Sequence, residues 1–316
     1  MGPSVPCPQV REITIPLTTS LPSGWVFTRA SSATYWQNGT LYTAGSNVAR
    51  FESDASGNLL GCLDEAAVTN IYLNSQSPAT QTITVTAQAY TLSFYGTGTI
   101  ALTGVYTGTL AGTGANNLVQ LTFTPTAGSL IATPSGSVTN VQVEAGVFAT
   151  SRIITAGASA ARSTDNLSVP LSLYPWLQTA MGYSFAYRFS MLSGVDSTNL
   201  FLFSGPGGAG VNGHYGYTNS SNGFHMAAYI SSSGTSSSSY GLGSAGTAQV
   251  VAGSISATGM LFSLNRAAPV SVSKTGLSSI PISTIQGSNG YGAFHLLSLT
   301  LRAGPSSAAW LQGGNY

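Results

Sequence analysis

Tyr183-Ser184-Phe185-Ala186-Tyr187-Arg188-Phe189 places an aromatic ring at every second position of a seven-residue run. Successive side chains of a β-strand point to opposite faces, so this alternation makes one wholly aromatic face, and the simplest partner for such a face is the interior of a β-sandwich. Phe294-His295-Leu296-Leu297-Ser298-Leu299-Thr300-Leu301-Arg302 predicts a second core strand near the C-terminus. After it, in Gly304-Pro305-Ser306-Ser307-Ala308-Ala309-Trp310-Leu311-Gln312, Ser306 or Ser307 can cap a short helix that turns Trp310 and Leu311 inward.

Elsewhere the 3.6-residue apolar period is scarce, and short alternating runs are separated by Gly, Asn, Pro and Ser clusters. The chain is expected to be all-β, with two antiparallel β-sandwiches of jelly-roll type preceded by a short β-rich segment. Residues 1–75 form that segment and hold five of the eight carboxylates, Glu12, Glu52, Asp54, Asp64 and Glu65. Within it Gln37-Asn38-Gly39-Thr40 predicts a hairpin, and Asp54-Ala55-Ser56-Gly57-Asn58 a second turn. Residues 76–165 are rich in Thr and Gly, with strands such as Thr91-Leu92-Ser93-Phe94 and Val141-Gln142-Val143-Glu144, and form a small sandwich. Residues 166–316 read as a self-contained larger sandwich able to fold alone, with the Ser231–Ser239 run as a flexible surface loop.

Composition removes several functions. Charged residues are 5% of the 316 and apolar residues 43%, the reverse of a disordered chain. Nine basic residues scattered from Arg11 to Arg302, with a net charge of +1, offer no stripe for nucleic acid. So little charge favours association, and a homo-oligomer is expected, a trimer first. No apolar run is long enough for a membrane helix, and Met1–Cys7 lacks the features of a signal peptide, so synthesis in the cytoplasm without membrane insertion is expected. Cys7 and Cys62 are expected to be reduced and packed rather than paired, and no metal or cofactor site is expected.

After Asp196 no side-chain carboxylate occurs, so the last third of the chain cannot supply the acid pair of a usual glycosidase. Its polar surface is made of hydroxyls, amides and aromatic rings. His214, Tyr215, Tyr217, Asn219, Asn222 and Phe224 therefore form a candidate carbohydrate-binding loop, because flat rings stack on sugar faces while amides bind hydroxyls. The competing account is that these rings alternate into the sandwich core. A polysaccharide depolymerase would have to draw on Glu52, Asp54, Asp64, Glu65, Glu144, Asp165 or Asp196.

Three stretches carry a resemblance. Phe27-Thr28-Arg29-Ala30-Ser31-Ser32-Ala33-Thr34-Tyr35, Asn47-Val48-Ala49-Arg50-Phe51 and Leu59 through Asn70 are similar to the opening of tailed-bacteriophage virion proteins of the tail-fibre, minor tail or head-decoration type. Val141 to Ser151, running on to Arg162-Ser163-Thr164-Asp165, resembles the end of a carbohydrate-module-like sandwich, and Gly292 to Gln312 resembles the close of a concanavalin-like lectin domain. The acidic residue usual in that closing helix is replaced by Ala308 or Ala309. The resemblance implies a non-enzymatic virion component, docked to other virion proteins through Phe27, Arg29, Tyr35, Arg50, Phe51, Asp64 and Glu65. It further implies a tail location and attachment to a host-surface glycan, with a capsid decoration or cement protein as the alternative.

Overall fold

The computed structural model describes residues 10–177, 181–192, 199–205, 208, 212–218, 223–241, 246–279, 282–287, 293–314 and 316. Tyr183–Met191 is the central strand that the alternation predicts: Tyr183, Phe185, Tyr187 and Phe189 are buried, and Arg188 alone in the strand is exposed. It pairs antiparallel with Ala248–Ser256 on one side and Ala293–Ala303 on the other. The sheet extends outward through Gly259–Leu264 and Val270–Ser273 at one edge, and through Leu59–Glu65 and Arg50–Ser53 at the other. A second sheet runs in the order Val26–Thr28, Asn166–Pro170, Thr284–Gln286, Asn199–Ser204, Gly213–Thr218, Gly223–Ile230, Ser233–Gly241. Phe185, Phe189, Phe203, Met226, Phe262, Ile285 and Leu299 from the two sheets meet in one core, so the chain is all-β and the larger unit is a sandwich.

The division at residue 75 does not hold in the strand pairing. Ala293–Ala303 divides one of its edges between two N-terminal strands: Ala293 to Leu296 pair with Glu65 to Cys62, and Ser298 to Arg302 pair with Pro16 to Glu12. At the crossing Gly61 has φ +121°, and a Cβ there would come within 2.7 Å of the Leu296 carbonyl oxygen. Val26–Thr28 meanwhile pairs with Asn166–Pro170 in the opposite sheet. Ile15, Leu17, Trp25 and Phe27 lie in the shared core, so residues 166–316 are not self-contained. Local alternation predicts that a stretch is a strand; it does not say which distant strand completes its ladder.

Residues 81–145 form the small sandwich. Its four-stranded sheet runs Gly108–Ala111, Thr99–Gly104, Gly128–Ser135, Gln81–Val85, against a three-stranded sheet of Gly114–Phe123, Tyr90–Gly96 and Val138–Ala145. Leu92, Phe94, Ile100, Leu102, Leu130, Val141 and Val143 fill the space between them. Tyr90–Gly96 is buried on both faces. The outer side of that strand, with Ser93 and Tyr95, is covered by Arg152 and by Trp36 of the hairpin Ala33–Gln37/Thr40–Ala44.

That hairpin turns where the sequence places it, with Asn38 at φ 50° and Gly39 at φ 73°, the left-handed pair that a two-residue turn of this kind requires. In the second turn the Asp54 carboxylate accepts from the backbone N–H of Ser56 and of Asn58, both at 2.9 Å. The serine run is a correction: Ser233–Gly241 is a strand paired with Gly223–Ile230, where serine is tolerated because an edge strand needs only a backbone ladder. At the C-terminus Ser307 caps the helix Ala308–Gly313 and Leu311 points inward. Trp310 stays near the surface, donates from Nε1 to Glu12 Oε2 at 3.1 Å and lies under the Arg302 guanidinium.

Candidate functional site

Among the described residues, nine of sixteen acidic and basic side chains are buried: Arg29, Arg50, Glu52, Asp64, Glu65, Glu144, Arg152, Arg162 and Asp165. Most converge where the small sandwich meets the N-terminal strands. Arg29 contacts Asp165 at 3.1 Å; Arg50 contacts Glu65 at 2.8 Å and the second oxygen of Asp165; Arg162 reaches Glu65 at 3.2 Å. Ser151 donates from its backbone N–H to one oxygen of Glu65 at 2.7 Å and from its hydroxyl to the other at 2.6 Å. Burial alone would raise the Glu65 carboxyl, but the Arg162 and Arg50 guanidiniums and the Ser151 bonds outweigh it and hold it at about 2. Glu144 sits beside this network, accepting from Gln142, from the Thr150 backbone and from the Thr150 hydroxyl; burial raises its carboxyl.

This arrangement revises the docking residues. Arg29, Arg50 and Glu65 are ion-paired inside the chain, Asp64 and Phe27 are buried, and Phe51 packs against the large core. Phe27, Arg29, Arg50, Asp64 and Glu65 are withdrawn from solvent and Phe51 is partly so, which leaves little of them to meet another protein. Of the seven, Tyr35 alone stands at the surface away from the core, its ring 5.8 Å from that of exposed Tyr42 across the hairpin.

The carboxylates that a depolymerase would need are likewise accounted for. Glu65 and Asp165 belong to the ion network, Asp54 closes a turn, and Asp196 lies outside the described residues. Glu52 accepts from the Trp36 backbone N–H at 2.9 Å and lies 2.7 Å from His295 Nε2. Among the described residues no three His, Cys, Asp or Glu side chains converge as metal ligands, and no helix is long and apolar enough to cross a membrane. Cys62 is buried, and Cys7 lies outside the described residues.

The carbohydrate candidates are split by the period-two geometry. His214, Tyr215, Tyr217 and Phe224 stand not on a loop but on the paired strands Gly213–Thr218 and Gly223–Ile230. His214 and Phe224 point into the core and have no solvent exposure. The His214 ring stacks on Phe203 at 4.4 Å and on Phe185 at 5.5 Å, its Nδ1 lies 3.3 Å from the Tyr183 hydroxyl, and burial lowers it to about 3. Tyr215 and Tyr217 take the opposite face and are half-buried, while Asn219 and Asn222 lie outside the described residues.

On that outer face the structure adds two rings that sequence reasoning missed. Tyr215 stacks on Tyr229 at 5.8 Å with planes 10° apart, Tyr217 stacks on His225 at 4.9 Å and 15°, and Tyr215 and Tyr217 are 5.6 Å apart. The register explains the set, since Tyr217 pairs with His225 and Tyr215 with Ala227, two residues from Tyr229. Tyr229 pairs with Gly234 of the next strand, where a Cβ would come within 2.2 Å of the Tyr229 ring. Alternation in Phe224-His225-Met226-Ala227-Ala228-Tyr229 was the available signal, once Tyr215 and Tyr217 were placed on a strand. The result is a row of four partly exposed rings on a sheet face without a carboxylate on either strand.

No protein-family model and no curated protein sequence matches the chain. Similar solved structures include one of botulinum neurotoxin type C concerning interaction with two ganglioside molecules, at 10% identity and TM-score 0.38, covering 48% of this chain and 39% of that one. Another is the binding domain of botulinum neurotoxin DC in complex with rat synaptotagmin II, at 10% identity and TM-score 0.37, with the same shares. A third is the Ruminococcus gnavus IT-sialidase CBM40 bound to alpha2,3 sialyllactose, at 11% identity and TM-score 0.37, covering 46% of this chain and 89% of that one. The chain spans about two fifths of the length of the first two. At such scores these similarities carry no ligand or partner over to it.

Proposed function

We propose that this chain is a non-catalytic adhesion protein of a tailed-phage virion, placed on the tail as a homo-oligomer, and that it holds host-surface glycan on the outer face of the strands Gly213–Thr218 and Gly223–Ile230. The observation that carries the reading is the row Tyr217, His225, Tyr215 and Tyr229 on one open sheet face. Sugar rings present apolar C–H faces that stack on aromatic planes, and such contacts are individually weak. Several copies on one particle turn weak contacts into firm adhesion. With nine charged side chains buried, the surface has less charge to hold copies apart than composition alone suggests, which favours the oligomer. The virion assignment rests on the sequence resemblance.

The test is a Tyr215→Ala, Tyr217→Ala double variant assayed for adhesion to host cells, with thermal unfolding in parallel. Each lost stack should weaken binding by about 1 kcal/mol, and avidity should enlarge the loss. Reduced adhesion with a nearly unchanged melting temperature is the expected outcome. Full adhesion by a folded double variant would overturn the assignment of this face.

A further inference from the structure

A second feature lies between the hairpin Ala33–Gln37/Thr40–Ala44 and the small sandwich. Two adjoining depressions of about 200 and 240 Å3 share Trp36, Glu52 and Tyr95 in their walls, and together form a cleft of the size that takes a small ligand. The Trp36 and Tyr95 rings meet at 5.4 Å with planes 51° apart, giving the cleft an aromatic corner. Gln120 lines one half and Asn116 the other, and both are exposed. The Gln120 carbonyl oxygen accepts from the Ala149 backbone at 2.9 Å, which fixes the amide so that its NH2 remains a donor for a ligand.

The charges around the cleft decide what it can hold. Glu52 has both carboxylate oxygens engaged, one accepting from the Trp36 backbone N–H and the other 2.7 Å from His295, and its side chain is buried. Glu65 is closed off by Arg50 and Arg162. The Arg152 guanidinium already lies 5.5 Å from the Tyr95 ring centre, so a second cation on that ring would be repelled. Nor is Arg152 free for an anion: it is buried and donates to Ser93, to the Asn140 carbonyl and to the Thr150 carbonyl. Asp54, which also lines the second depression, has its carboxylate engaged by the Ser56 and Asn58 backbone N–H groups and the Asn58 amide. Rings, amides and engaged charges suit a neutral, polyhydroxylated ligand. We infer that the Trp36–Tyr95 cleft is a second carbohydrate site, taking one or two neutral sugar residues, with Trp36 as the stacking platform and the Gln120 and Asn116 amides binding hydroxyls.

The inference does not depend on the outer tyrosine face, and the experiment keeps the two apart. The chain has four tryptophans, so protein labelled with 5-fluorotryptophan gives few 19F resonances, and Trp36→Phe identifies the one from the cleft. Maltohexaose, cellohexaose and mannohexaose are titrated to millimolar concentration, with tetramethylammonium and sialic acid as the charged probes. The Trp36 resonance should move with at least one oligosaccharide, also in the Tyr217→Ala variant. Asn116→Trp, which fills the mouth from an exposed position, should weaken that titration about three- to tenfold, the range of one lost contact of this kind. A Trp36 resonance that none of the three moves, or that only a charged probe moves, would overturn the inference, as would an affinity unchanged by Asn116→Trp.

Discussion

Arg50 and Glu65 face each other at 2.8 Å with both side chains wholly withdrawn from solvent. They anchor a network that joins strands from the N-terminal residues to Ser151, Arg162 and Asp165 beyond the small sandwich. Arg50→Gln would leave Glu65 and Asp165 short of a counter-charge inside the protein. The expected loss is about 3–5 kcal/mol, the range for breaking a buried pair from one side. Urea unfolding checks it, and a loss near 0.5 kcal/mol, of the order of surface pairs, would show the network to be dispensable.

Stability should decline on acidification in two stages. His214 is held neutral at about 3, below the ordinary value near 6.5, so its contribution is complete above about pH 7 and is lost as the pH falls toward 3. Glu65 is held charged at about 2, below the ordinary value near 4.3, so its contribution is complete above about pH 5 and is lost as the pH falls toward 2. His214→Phe should flatten the first stage and leave the second. A decline between about pH 6.5 and 5 that the substitution does not change would exclude His214 as its source.

Gly234→Ala tests the geometry of the outer rings without removing one. The added methyl would overlap the Tyr229 ring, which must then swing away from Tyr215. Adhesion should fall as far as in Tyr229→Ala, while stability changes by less than about 1 kcal/mol, as is usual for a change on an open face. Unchanged adhesion in both variants, compared side by side with melting curves, would remove Tyr229 from the site.

A fragment of residues 166–316 should not fold. It lacks the strands Glu12–Pro16, Val26–Thr28, Arg50–Ser53 and Leu59–Glu65, leaving the edge of Ala293–Ala303 unpaired and Ile15, Leu17, Trp25 and Phe27 missing from the core. Near-ultraviolet circular dichroism and a melting curve decide the matter. A cooperative transition from the fragment alone would show that the N-terminal strands are accessory.

The sequence carried the strands better than their neighbours. Tyr183 to Phe189 and the turn at Asn38-Gly39 were legible because alternation and left-handed turn residues are local physics. The pairing of Glu12 with Arg302 was not, since nothing in either strand names a partner at the far end of the chain. The ion network was hidden for the same reason: Arg29 and Asp165 look like surface residues until distant strands bury them. In the candidate site, Tyr215 and Tyr217 were found from their chemistry, whereas His214 and Phe224 were carried along by proximity. Treating Gly213–Thr218 as a strand would have separated the pairs and brought in His225 and Tyr229.

The divided edge of Ala293–Ala303 sets an order of events during synthesis. Leu59–Glu65 leaves the ribosome long before the strand it pairs with, and at bacterial-type elongation rates the wait is roughly 10–45 s. The small sandwich, whose strands are contiguous from residue 81 to 145, can close during that interval. The strands Glu12–Pro16 and Leu59–Glu65 cannot, and their unpaired edges are open to other nascent chains until Ala293–Ala303 has been made. Nascent chains stalled near residue 290 should therefore yield a protease-resistant core at residues 81–145 while residues 12–16, whose ladder partner is Ala293–Ala303, are cut, and released chains that include residue 303 should protect both. Equal protection of residues 12–16 in the stalled chains would mean that the large sandwich assembles without Ala293–Ala303.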